Sequence, residues 1–117
     1  MAAGGSRNVE FYGAVSGSYS VYFSGSTSAA MPANAWSHVA ISRSGSNWAI
    51  FVNGTRYATY SSSATLDNGS SSLYIGKDGG DAQPVTGYLS NVRIVKGTAV
   101  YDPTQTTYTV QIGRAHV

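Results

Sequence analysis

The chain has 117 residues and a formal charge of +2, with only 10% of its residues charged, against about 25% in a typical soluble domain. That length allows one domain at most, and so slight a positive balance argues against a nucleic-acid-binding surface. The absence of cysteine removes disulfides, thiolate metal sites and cysteine nucleophiles, and no apolar run is long enough for a transmembrane helix.

Gly, Ser and Thr supply 42 of the 117 residues, and Tyr supplies nine. Apolar residues do not recur at the i, i+3, i+4, i+7 spacing of an amphipathic helix. Short runs rich in Val, Ile, Tyr, Phe and Thr are instead separated by Ser/Gly/Asn clusters, which predicts an all-β fold. The first strand pair is predicted over Asn8 to Val15 and Tyr19 to Phe23, joined through Ser16-Gly17-Ser18. In the second of these, Tyr19, Val21 and Phe23 share one face, and Ser20, Tyr22 and Ser24 the other.

A small-residue connection from Ser24 to Ala35 leads to a strand predicted over Trp36 to Arg43, a turn at Ser44 to Asn47, and a partner strand over Trp48 to Val52. Asn53-Gly54 is the dipeptide that best supplies positive φ at both centres of a tight turn, and Thr55 to Tyr60 is the return strand. Ser61 to Ser72 is a polar loop with Leu66 as its one strong apolar anchor. A short strand is predicted over Leu73 to Ile75, a loop over Lys77 to Pro84, and a last strand over Thr86 to Val95. In that last strand Leu89 has one parity and Val92 and Ile94 the other, which requires two covered faces or a bulge. Two stacked sheets satisfy either requirement.

Five segments in order carry a family likeness: Trp36-Ser37-His38-Val39-Ala40, Ile50-Phe51-Val52-Asn53-Gly54, Tyr74-Ile75-Gly76, Gly87-Tyr88-Leu89-Ser90-Asn91-Val92-Arg93-Ile94 and Lys96-Gly97-Thr98-Ala99-Val100-Tyr101. Together they resemble the later part of a laminin-G-like domain of the concanavalin A-like lectin/glucanase class. The resemblance implies an antiparallel two-sheet jelly-roll sandwich over residues 8–111, truncated because family members usually begin with further strands. Residues 112–117 resemble a translated sequencing adapter and are set aside from fold reasoning.

Chemistry-bearing residues are few. His38 has no sequence neighbour to serve as orienting carboxylate or nucleophile; it reads as a strand residue packed on Trp36 with a ring nitrogen bonded to backbone. Glycoside hydrolysis needs two flanking carboxylates, whereas Glu10 is the single Glu and no acidic pair has strand spacing. The chain is therefore read as no enzyme. The sequons Asn53-Gly54-Thr55 and Asn68-Gly69-Ser70 read as turns. Tyr12, Tyr57 and Tyr60 are the tyrosines expected nearest the surface, and they join Asp78, Asp81 and Gln83 as candidate ligand-binding residues. The resemblance implies calcium at a loop edge, for which Asp67, Asp78 and Asp81 are the candidate ligands. It also implies a non-catalytic module that recognises a glycan or a surface protein. Such a module would be extracellular, on a cell surface or a virion, within a longer phage tail or bacterial protein with neighbouring domains. A purely structural fibre module, or a piece of a glycoside hydrolase, are the alternatives.

Overall fold

The computed structural model describes residues 8–25, 27, 31–67, 75, 85 and 87–110. Among these residues five strands follow in order: β1 (Val9–Val15), β2 (Ser18–Gly25), β3 (Val39–Ser44), β4 (Asn47–Val52) and β5 (Thr55–Ser61). They form a two-stranded sheet, β1-β2, and a three-stranded sheet, β3-β4-β5, both antiparallel. No helix occurs among the described residues. The fold is all-β, as the composition and the alternation predict.

Turn chemistry sets the registers. Ser16 and Gly17 connect β1 to β2 with φ of 53° and 82°, and Asn53 and Gly54 connect β4 to β5 with 50° and 85°. Positive φ at both centres gives turns whose twist matches that of the flanking strands. Serine is a poor residue for that conformation, and Asp67 offsets the cost. Its Oδ1 accepts the Ser16 N–H and its Oδ2 the Gly17 N–H, each at 2.7 Å.

The inner face of β1-β2 presents Phe11, Val21 and Phe23 to Trp48 and Ile50 of β4, with Ala58, Tyr60 and Leu66 packed alongside. Phe11 and Phe23 lie 5.3 and 6.3 Å from the Trp48 ring. Leu66 reaches this core because residue 13 is glycine: a Cβ there would come within 2.6 Å of the Leu66 methyl. The anchor expected in the polar loop is thus seated.

Strand β4 is buried from Trp48 to Val52, so it is covered on both faces. Each large apolar side chain so enclosed contributes about 1.5–3 kcal/mol. The second cover is the segment 101–110. Tyr101 and Tyr108 stack at 3.7 Å, and Phe51 lies 4.9 Å from Tyr108. The segment is fastened by Arg56 N–H to Thr106 O at 2.9 Å, Tyr108 N–H to Gly54 O at 2.8 Å, and Arg56 Nη1 to Pro103 O at 3.0 Å. The Ser42 hydroxyl donates to the Tyr101 carbonyl.

Three expectations are corrected. Trp36, Ser37 and His38 precede β3 instead of opening it; the Asn53 side chain takes the His38 N–H at 2.8 Å, and Trp36 is 71% exposed. His38 is therefore not a strand residue, and its ring nitrogen bonds a side chain, Tyr108, instead of backbone. Residues 87–95 form no strand. Asn91 has φ of 55° and Gly87 of 145°, which breaks the extended run, and Tyr88 is 86% exposed. A strand is stable only with a ladder partner, and none of the described strands pairs with this segment. Finally, Ile75 lies in a bend and is exposed. Leu73, Tyr74, the loop 77–84 and the hexapeptide 112–117 lie outside the described residues.

Candidate functional site

Alternation along β1 and β2 places Glu10, Tyr12, Tyr22 and Ser24 on the face opposite the core. The hairpin register sets Tyr12 directly across from Tyr22 and Glu10 across from Ser24. Cross-strand neighbours have Cβ atoms about 4.5–5.5 Å apart, and the two rings accordingly meet with centroids 4.6 Å apart, tilted by 40°. Tyr12 is 55% exposed and Tyr22 44%. The Tyr22 hydroxyl donates to Glu10 Oε1 at 3.5 Å, a long contact. The Tyr12 hydroxyl is held above its ordinary range, first by desolvation, then by the charge of Glu10 and by Tyr22. A carboxylate and two phenol groups thus gather on one open surface.

The chemistry of this surface is that of a shallow recognition platform. The rings offer flat apolar area with polar tips, and aromatic anchors of this kind lose little side-chain entropy on binding. Glu10 accepts hydrogen bonds only, whereas the hydroxyls both donate and accept.

The other sequence-derived candidates are dispersed. Tyr57 is exposed, and is the extra residue where β5 bulges opposite Ile50 and Phe51. Tyr60 is half-buried and stacks on Phe23 at 5.4 Å with 9° between the rings, so its face is used by the core. Asp67 clamps the β1-β2 turn with both oxygens. Asp78, Asp81 and Gln83 lie outside the described residues. Tyr22 and Glu10 were missed as a pair with Tyr12. Parity alone puts Tyr22 outward, but pairing it with Tyr12 requires the register, which a bulge between Gly13 and Ala14 shifts.

Calcium takes six to eight oxygen ligands. Among the described residues no three Asp, Glu or His gather to hold a metal, and the Asp67 oxygens already face amide donors. The described residues do not fit that ion.

A separate, concave feature is an open groove of about 850 Å³ between β3 and residues 94–101, lined by Ile41, Trp48, Leu66 and Ile94 among others. Its Arg43 is committed: the guanidinium lies 4.4 Å over Trp48 and donates to Gly45 O at 2.9 Å and Ala64 O at 2.8 Å. On the far side of β4, His38 and Tyr108 share a hydrogen bond of 3.0 Å, with no carboxylate in the contact.

Comparison with curated proteins and with solved structures gives no match. A laminin-G-type family model, described as the concanavalin A-like lectin/glucanases superfamily, matches residues 1–114. With two antiparallel sheets packed through Phe11, Phe23 and Trp48, and a match over nearly the whole chain, the protein belongs to the laminin-G-like group of the concanavalin A-like lectin/glucanase superfamily.

Proposed function

We propose that this domain is a non-catalytic recognition module for carbohydrate, and that Tyr12, Tyr22 and Glu10 form its contact surface. The observation that carries the reading is the exposed Tyr12–Tyr22 pair with a carboxylate at its rim. A pyranose ring would lie on the aromatic faces while its hydroxyls donate to Glu10 and exchange hydrogen bonds with the phenols. Hydrolysis requires a second carboxylate facing the same bond. Of the described carboxylates, Asp67 serves the Ser16-Gly17 turn, and Asp102 accepts from Thr104 N–H at 2.9 Å and Thr104 Oγ1 at 2.7 Å.

A platform this shallow binds weakly per site, so display in several copies on an extracellular surface, such as a virion or bacterial fibre, suits it. Calcium at the 77–84 loop belongs to the same proposal, with Asp78 and Asp81 as ligands. The test is a glycan array with the wild type and Tyr12→Ala, each with calcium and with a chelator. Binding that falls about tenfold in the variant, ~1.4 kcal/mol, supports the site. Loss of signal with the chelator supports the metal. Absence of any glycan signal rejects the reading in favour of a structural module.

A further inference from the structure

We infer that the Tyr12–Tyr22–Glu10 platform selects saccharides carrying a free amine, in its ammonium form, over neutral and acidic ones. The inference rests on the recognition reading above and specifies its ligand class.

Every group the platform offers favours positive charge. Aromatic faces carry the negative side of a quadrupole, and a cation within about 6 Å of a ring centroid is attracted to it. The two rings meet at 4.6 Å with a tilt of 40° and both remain exposed, and the Glu10 carboxylate is at the phenol edge of Tyr22. No ion pair of Glu10 with a cationic side chain is present among the described residues. Arg43 is bound to Gly45, Ala64 and Trp48, and Arg56 to Pro103. The residue across from Glu10 is the neutral Ser24. Two phenol hydroxyls do not exhaust a carboxylate, which has about four acceptor positions. Glu10 therefore retains capacity for a ligand N–H. A sugar ammonium would donate there while its ring stacks on a tyrosine. A uronic acid or sialic acid would set its carboxylate against Glu10 and be repelled.

The experiment is NMR titration of the full chain with three trisaccharides of the same β-1,4 linkage: glucosamine, N-acetylglucosamine and glucose. Shifts are read at Tyr12 and Tyr22, for the wild type and for Glu10→Gln and Tyr12→Phe. The glucosamine trimer should bind about fivefold more tightly than the other two, the scale of one exposed ion pair with Glu10. Glu10→Gln should abolish that preference, bringing the glucosamine trimer to the affinity of the glucose trimer in the same variant. Tyr12→Phe should keep the preference, because the ring face persists. Equal affinity for all three trimers, or a preference that survives Glu10→Gln, overturns the amine inference while the recognition reading stands. Binding of none of the three, together with a blank glycan array, overturns both.

Discussion

The Tyr108 hydroxyl lies 3.0 Å from His38 Nδ1, a contact that spans 70 residues of sequence. It joins the residue just before β3 to the segment that covers Phe51. Burial, with Tyr101 adding, pushes the Tyr108 hydroxyl up to about 12 from an ordinary 10.0. The folded protein therefore keeps the Tyr108 proton where the unfolded chain has released it. Stability from this group is complete below pH 10 and falls as pH rises from about 10 to about 12. Denaturant melts across that range should show the decline, and Tyr108→Phe should flatten it. At neutral pH the same variant should lose about 0.5–1.5 kcal/mol, the worth of one hydrogen bond.

Gly54 should not tolerate alanine. Its φ is 85°, and a Cβ would stand 2.5 Å from the Tyr108 carbonyl oxygen, a backbone atom. The backbone strain alone costs on the order of 1 kcal/mol, and the clash pushes away the strand-like contact of Thr55 with Thr107. Gly54→Ala should lower the melting temperature by more than about 5 °C. Proteolysis should then cut earliest after Tyr101 or Tyr108. Gly45→Ala is the control, since its Cβ would meet nothing within 4 Å at a φ of 61°.

Asp67→Ala should loosen the β1-β2 turn. Two backbone donors at 2.7 Å lose a charged acceptor; both are solvent-exposed, so water replaces much of the loss. A cost of about 1–2 kcal/mol is expected, with faster amide exchange at Ser16 and Gly17 as the local signature. Unchanged exchange at those two amides would refute the clamp.

Trp48→Phe tests the join between the sheets. It removes the indole N–H that donates to Ser62 O at 3.0 Å, and the better face for Arg43. The cavity and the unpaired carbonyl together should cost about 2–4 kcal/mol, read from urea unfolding. That is a large share of the 5–15 kcal/mol typical of a domain.

Local chemistry explains which features were legible in the sequence. Asn53-Gly54 announces its turn because few other dipeptides accept φ of 50° and 85° together. Val21 and Phe23 announce their face by alternating with Tyr22 and Ser24. The strand predicted over Thr86 to Val95 is absent from residues 87–95 because a strand-like composition does not supply the neighbour on which strand formation depends. The roles of Tyr101 and Tyr108 were hidden for a similar reason. They cover Phe51 from 50 and 57 positions away in sequence, fastened largely by backbone bonds that carry no residue signature. The Tyr12–Tyr22 pair depended on a register that one bulged residue decides.

Alternation in β1 and β2 has an evolutionary consequence. Side chains at positions 11, 21 and 23 hold the sheets together, while those at 10, 12, 22 and 24 bear almost none of the packing. Drift at the second set changes what the surface attracts without endangering the fold. One scaffold can thus diversify its ligands by exchanging a few outward residues, with most of the selective constraint left on the opposite side of the same hairpin.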